Sequence, residues 1–192
     1  MPEPEAAGRE VPAANARYES YSHEAMAAEV GRGNEPTDAG QLGAQWQGLA
    51  QRLQESTSGL AGLAARSQDS WQGAAGDAVR SVLGEATGWL ARSASVSSTV
   101  GESVAAQAEV AARARADMPP PVSYEPGEMI RGAAASGNVL LLAGLSLAME
   151  SRRQEAEAAR IKAMDVMNTR DAALRDLVPH ESFDPPPALG RS

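Results

Sequence analysis

The residues that could carry out acid–base, nucleophilic or metal chemistry are few in this chain. It has no cysteine, which excludes thiolate nucleophiles, disulfide bonds and sulfur-ligated metal sites. Its two histidines, His23 and His180, lie near opposite ends of the sequence, and neither has a second ligand at helical spacing. No Ser/His/Asp order, glycine-rich phosphate loop or paired-carboxylate pattern stands out. We therefore predict a protein without enzymatic activity, cofactor or metal site, whose mechanism is recognition.

The most informative short pattern is Trp71-Gln72-Gly73, which lies between two helical patterns and interrupts both. Residues 67–76 contain Asp, Ser and Gly, which cap helices or adopt turn dihedrals easily. The spacing predicts the turn of a helical hairpin, and a turn this short makes the two helices antiparallel neighbours. Trp46-Gln47-Gly48 has the same Trp-x-Gly pattern, but a helical pattern continues through it. We therefore predict that Trp46 is a mid-helix core residue.

The helix before this turn is predicted from Pro36 or the next two residues to about residue 66. Its apolar residues recur at spacings of four and three, which is typical of a helix with one apolar face. We call this face the leucine stripe, and it consists of Leu42, Trp46, Leu49, Leu53, Leu60 and Leu63.

The helix after the turn is predicted over roughly residues 74–117 and carries two apolar stripes. One contains Val79, Leu83, Ala86, Leu90, Val100, Val104, Ala111 and Met118. The other, which we call the Trp89 stripe, contains Val82, Trp89, Val96 and Val110. In one interpretation the stripes contact the first and the last long helix. In the other, part of this apolar surface is left for another chain.

A shorter helix is predicted before the hairpin, with Ser20 or Ser22 as its N-cap and with Gly31 and Gly33 at its end. Residues 1–16 are rich in Pro, Glu and Ala and have no apolar periodicity. Such a segment cannot bury enough apolar surface to offset its ordering entropy, so we predict a disordered N-terminal tail.

The C-terminal part follows the run Met118-Pro119-Pro120-Pro121, which ends the second long helix. Residues 126–136 are predicted to form one or two helical turns, and residues 137–138 to break them. A final helix is predicted from about residue 146 to 178. Between them, the apolar run Val139–Leu145 is either ordinary core or an exposed tip that binds another protein.

No strand pattern of useful length occurs, so the predicted fold class is all-α. The chain has 192 residues with 43% hydrophobic but only 4% aromatic residues, which favours close contacts between alanine-lined helices over a thick core. At 1.5 Å per residue the second long helix would extend about 65 Å, so we expect an elongated bundle. The predicted domain comprises residues 17–178, and residues 179–192 form a Pro-rich C-terminal tail.

Charge and hydropathy exclude several classes of function. The formal net charge of −8, without a long Lys/Arg run, argues against nucleic-acid binding and against a basic membrane-active helix. The acidic N-terminus does not fit a Sec-type signal peptide. The longest apolar run, Val139–Met149, is too short to span a bilayer and is interrupted by Gly144 and Ser146.

These residues resemble the PPE and WXG proteins of actinobacterial type VII (ESX) secretion systems, over about residues 18–187. The resemblance rests on a Trp-x-Gly at a helix–helix turn and on several further features. They are Trp46, the Trp89-Leu90 pair, the proline run at 119–121, and Glu157-Ala158-Ala159-Arg160 leading to Met164 and Met167. The N-terminus departs from the mycobacterial pattern, because it has no Pro-Pro-Glu triplet.

The resemblance implies a PPE-like substrate that is cytoplasmic before export and is then secreted, or held in the cell envelope, in folded form. It assigns Trp71 and Gly73 to a composite export motif, whose other half is a Tyr-x-x-x-Asp/Glu on a helical tail. Only Tyr124–Glu128 has that spacing here, and Pro126 and Gly127 disfavour a helix there, so a partner is expected to supply the second half. The resemblance further implies a PE- or WXG-type hairpin partner and an ESX chaperone or secretion ATPase. The residues expected at these interfaces are Trp46, Trp89, Leu141, Leu142 and Leu145.

Besides a heterodimer with a PE- or WXG-type hairpin protein, the sequence leaves two alternatives open. One is a self-assembling, EspB-like oligomer, although the roughly 20 residues between the predicted disordered tail and the first long helix are too few for the PE-like hairpin that such chains carry. The other is the export module of a secreted effector or toxin with its active domain elsewhere. The stop soon after Pro187 disfavours that alternative for the sequence as given.

Overall fold

The structure, a computed structural model, describes residues 17–32 and 35–188. Within these ranges every regular element is helical, which confirms the all-α prediction. A single 3-10 turn, Tyr18–Ser20, precedes α1 (His23–Gly31), α2 (Pro36–Ser70), α3 (Ala74–Asp117), α4 (Pro126–Ala135) and α5 (Val139–Asp176). The predicted disordered tail at 1–16 and the predicted helix stop at Gly33 lie outside the described residues.

The contacts divide the described chain into two compact units. Residues 35–109 and 177–188 form the first unit, and residues 17–32 and 110–176 form the second. Helix α3 contributes residues to both of them. The predicted domain boundaries at 17–178 and 179–192 remain a prediction.

In the first unit, α2 and α3 form the predicted antiparallel hairpin. Their closest contact joins Gly43 to Gly101 and Ala105, where an added Cβ on Gly43 would lie 3.0 Å from the Gly101 carbonyl oxygen. Beside it, the Gln47 side-chain amide donates a hydrogen bond to the Ser98 carbonyl at 2.9 Å. Small residues therefore bring the two helices together, as the alanine-rich composition predicted. On the leucine stripe, Leu42 and Leu63 are 47% and 49% exposed.

In the second unit, the hydrophobic core joins the N-terminal segment to α3 and α5. Tyr18, Met26 and Val30 pack against the alanines and Met167 of the longer helices, and both methionines of this cluster are fully buried. The core consists of Tyr18, Met26, Val30, Ala114, Ala163 and Met167, with Met118, Met164 and Val166 partly buried against it.

The N-cap of α1 is Ser22, one of the two candidates. Its hydroxyl oxygen accepts a hydrogen bond from the Ala25 N–H at 3.1 Å. Such a bond satisfies one of the amide groups that a helix start leaves without an intrahelical acceptor.

The predicted start of the final helix at about residue 146 is wrong, because α5 begins at Val139. Gly137 has a left-handed backbone with φ 64° and turns the chain after α4. The next residue, Asn138, acts as an N-cap, since its side-chain oxygen accepts a hydrogen bond from the Leu140 N–H at 3.0 Å. The break is therefore a tight turn between two helices, and the apolar run Val139–Leu145 forms the first turns of α5.

Candidate interaction site

The turn that carries Trp71 has a well-defined backbone. Trp71 follows the last residue of α2, and its N–H donates a hydrogen bond to the Ser67 carbonyl at 2.9 Å. Gly73 has φ 85°, a left-handed conformation that favours glycine. Its carbonyl accepts from the Asp77 N–H at 3.1 Å, which starts α3. Trp71 and Gly73 therefore lie in the predicted turn, which is only three residues long.

Two further residues hold this turn: Arg80, which lies outside the predicted turn stretch 67–76, and Gly76, which is its last residue. The Arg80 guanidinium donates a hydrogen bond to the Trp71 carbonyl at 2.8 Å and pairs with Asp77 at 2.6 Å. Gly76 is buried against the same carbonyl, and an added Cβ there would lie 2.2 Å from the Trp71 oxygen. The presence of glycine at position 76 is a signal for this contact, because close backbone approach is a common reason for glycine in a helix.

The Trp71 side chain is presented to solvent. It is 55% exposed, so Trp71 is not a buried residue that closes the hairpin. Beside it is an open, mostly apolar groove, which we call the turn groove; it is lined by Leu63, Arg66, Ser67, Ser70, Trp71, Val79 and Leu83. Exposed apolar surface of this kind, next to a tryptophan on a fixed turn, is typical of a protein-binding site.

Trp46 and Trp89 are in a different environment, because residues 177–188 run across them. We call these residues the C-terminal segment. The Trp46 ring stacks on Phe183, with centroids 5.9 Å apart and an interplanar angle of 26°. The Trp89 indole N–H donates a hydrogen bond to the Asp184 carbonyl at 3.0 Å. Both tryptophans are half-buried, so the predicted core position of Trp46 depends in part on the C-terminal segment.

The predicted tip residues lie on α5 in the second unit. Leu141 and Leu142 are 53% and 46% exposed, and Leu145 is half-buried. Leu141 and Leu145 line an apolar groove with α4, together with Met129, Gly132, Ala133, Leu140, Gly144 and Ala148. Of the two interpretations of this run, an exposed apolar surface is the one that the structure supports.

The Tyr124–Glu128 stretch is not a helical Tyr-x-x-x-Glu. Tyr124 lies in the connection after α3, and α4 begins only at Pro126. The tyrosine and the glutamate therefore do not lie on successive turns of one helix.

A partly buried polar cluster fixes the N-terminal segment of the second unit to α5. The Arg170 guanidinium donates to Glu29 at 3.0 Å and to the Tyr18 hydroxyl at 3.1 Å, and it pairs with Asp171. The Tyr18 hydroxyl donates to the Asp171 carboxylate. Burial, together with this hydrogen bond, raises the pKa of Tyr18 well above its ordinary value. Desolvation lowers the pKa of Arg170, but the bonds to Asp171 and Glu29 outweigh it and the net shift is upward.

Arg160, the last residue of the Glu157–Arg160 feature, has a related structural role. Its guanidinium donates hydrogen bonds to the backbone carbonyls of Glu19 and Tyr21. This feature therefore anchors the segment before α1 onto α5.

Comparison with protein families identifies the chain. The model of the PPE family matches residues 13–178, which is most of the sequence. The chain belongs to the PPE family. No curated protein matches it in sequence. Membership associates the chain with type VII secretion, whose PPE proteins are non-enzymatic helical proteins and typically pair with PE proteins.

The two histidines of this PPE chain lie in different settings. His23 is buried, and its Nε2 is 3.0 Å from the Pro119 carbonyl, so it links α1 to the proline run that follows α3. His180 is exposed in the C-terminal segment. Within residues 17–32 and 35–188, no group of three or more His, Asp or Glu side chains is arranged to hold a metal ion. A search of the same residues finds no helix with the length and hydropathy needed to cross a membrane.

Proposed function

We propose that this PPE chain is a non-enzymatic substrate of a type VII secretion system, exported folded as a pair with a small helical-hairpin protein of the PE or WXG type. Family membership supports this proposal. The observation that carries it is the solvent-exposed Trp71 beside the uncovered turn groove, on a backbone that Gly73, Gly76 and Arg80 hold.

The partner hairpin would lie along α2 and α3 and complete a four-helix bundle. Exposed side chains on both helices supply the apolar contact surface, among them Leu63, Val79 and Val82, which are 49%, 37% and 38% exposed. In a four-helix bundle, each helix packs well when its apolar stripe faces the neighbouring helices. Trp71 and Gly73 would then form one half of the export motif. The partner would supply the Tyr-x-x-x-Asp/Glu half, because Tyr124 of this chain precedes its helix.

The α4–α5 groove is proposed as a second contact, for an ESX chaperone or a secretion ATPase. Leu141 lines this groove and is 53% exposed, and the adjacent Leu142 is 46% exposed. The protein would be cytoplasmic while a chaperone occupies this groove, and it would act outside the cell or in the envelope after export.

Co-expression with a panel of PE-type and WXG-type hairpin proteins tests the pairing. We expect one panel member to co-purify as a uniform 1:1 complex by light scattering. Leu63→Asp, which places a charge in the turn groove, should reduce complex recovery at least tenfold, because an unpaired charge is costly to bury. Leu147→Asp is the matched control, since Leu147 lies on α5 and is 77% exposed.

Two outcomes would contradict the pairing. In the first, no panel member binds and the chain alone forms a uniform multimer, which would favour the self-assembling alternative. In the second, Leu63→Asp and Leu147→Asp behave alike, which would place the interface elsewhere.

A further inference from the structure

The C-terminal segment lies on the same two apolar stripes that remain open near the turn. On α2, Trp46 and Leu63 both belong to the leucine stripe. On α3, Val82, Trp89 and Val96 follow one another at intervals of seven residues, so they share one helix face. Trp46 and Trp89 contact the C-terminal segment, whereas Leu63 and Val82 are 49% and 38% exposed. One half of a continuous apolar face is therefore covered in cis, and the other half is open.

The order of contacts shows how the segment follows the hairpin. The Leu177 carbonyl accepts hydrogen bonds from the side chains of Ser103 and Gln107. Glu181 then reaches Thr99, and Asp184 reaches Arg92 and Trp89. The segment thus runs antiparallel to α3, from its residue 107 towards the turn, and Asp184 is the last residue with such a contact among those described.

The contacts that hold the segment are few and mostly open to solvent. Beyond residue 177 it has no regular secondary structure up to residue 188. Phe183 remains 46% exposed although it stacks on Trp46. The Arg92–Asp184 ion pair has a distance of 2.9 Å, but its side chains are 63% and 54% exposed. Exposed ion pairs contribute little to stability, because water screens them and ordering two long side chains costs entropy.

We propose that the C-terminal segment is a displaceable cover, which occupies in cis part of the face that the hairpin partner needs. This inference rests on the proposed function. A helical hairpin with a continuous apolar face would replace Phe183 over Trp46 and Trp89, and it would bury more apolar area than the extended segment does. Pairing and covering are then mutually exclusive. Partner binding releases the stretch from Glu181 to Ala188, with its three successive prolines, into solvent.

A covalent lock tests this exclusion, because the chain has no cysteine of its own. Thr99 Oγ1 and Glu181 Oε2 are 3.4 Å apart, so a Thr99→Cys/Glu181→Cys chain can be bridged with a short bis-maleimide. The matched control is the same chain with both thiols capped by N-ethylmaleimide. We expect the capped chain to bind its hairpin protein from the PE/WXG panel, and the bridged chain to lose at least tenfold in affinity. Circular dichroism and thermal melting verify that both forms are folded.

A second pair of variants tests whether weakening the contacts of the C-terminal segment strengthens partner binding. Phe183→Ala/Asp184→Ala removes the stacking contact and the ion pair, and it should tighten partner binding several-fold. His180→Ala/Ser182→Ala changes two exposed residues of the same segment and should leave binding unchanged.

The outcomes separate the inference from the proposed function. Equal binding by the bridged and capped chains would overturn the proposal that the C-terminal segment is a cover, but it would support the pairing with a hairpin protein. Binding of no panel member by either form would overturn the proposed function and the cover with it. Weaker binding of the bridged chain, with tighter binding of the Phe183→Ala/Asp184→Ala chain, would support both.

Discussion

At the scale of single residues, the backbone contacts that hold Trp71 in the turn are distinct from the role of its side chain. Its N–H and its carbonyl are both hydrogen-bonded, and Gly76 allows the start of α3 to approach that carbonyl. Yet 55% of the residue is exposed, so packing does not require an indole at this position. Interfaces are enriched in tryptophan, which supplies a large contact area with few rotatable bonds. Recognition therefore accounts for Trp71 better than stability does.

Tyr18 gives a prediction about the pH dependence of stability. Burial and the hydrogen bond to Asp171 raise its pKa, so the folded chain keeps the hydroxyl proton at pH values where the unfolded chain has lost it. The free energy of unfolding should then fall as pH rises above about 10, with a slope of up to about 1.4 kcal/mol per pH unit from this group. Tyr18→Phe should remove that part of the slope, as measured by urea unfolding at several pH values.

Tyr21→Phe is the control for Tyr18, because Tyr21 is exposed and its ring lies next to that of Tyr18. The control chain should keep the wild-type slope. If the two variants show the same slope above pH 10, the assigned role of the Tyr18 hydroxyl is wrong.

At the scale of elements, the α2–α3 hairpin depends on glycine where the helices approach most closely. Gly43→Ala would place a Cβ 3.0 Å from the Gly101 carbonyl oxygen and 3.1 Å from the Ala105 amide nitrogen. Because these are backbone atoms of a helix, relief requires the helices to separate. We expect the free energy of unfolding to fall by about 1–2 kcal/mol, within the range for overpacked contacts.

Gly40→Ala is the matched control on the same helix, since an added Cβ at Gly40 meets no atom within 4 Å. It should stabilise the chain by up to about 1 kcal/mol through helix propensity alone. Denaturant unfolding of both variants measures the difference, and a Gly43→Ala chain as stable as Gly40→Ala would contradict the close approach.

The sequence predicted the elements well because their signals are local. Apolar periodicity and prolines placed α2 and α3 close to their observed bounds, and the Trp-x-Gly pattern located the turn between them. The sequence does not locate the start of α5, because Asn138 favours a break as much as a cap, and in the structure it caps the following helix. A residue that favours turns also favours N-caps, and only the backbone that follows distinguishes the two roles.

At the scale of the whole molecule, the sequence was least informative where contacts join distant residues. The stacking of Phe183 on Trp46 and the bonds from Asp184 to Trp89 and Arg92 connect positions about 90 to 140 residues apart. No periodicity in a proline-rich stretch specifies such a partner, so the sequence did not predict that the C-terminal segment covers α2 and α3. The functional consequence, a face open at one half and covered at the other, follows only from the structure.

We propose that export of this PPE chain depends on recognition of its exposed Trp71. The measurement that tests it most directly is export of Trp71→Ala from an actinobacterial strain with an active type VII system. Immunoblots of culture medium and cell pellet provide the readout, with Gln72→Ala as the control in the same turn. We expect Trp71→Ala to stay in the cell although it is folded and its stability changes by less than about 0.5 kcal/mol, as is usual for an exposed residue. Export of Trp71→Ala at the level of Gln72→Ala would contradict the claim.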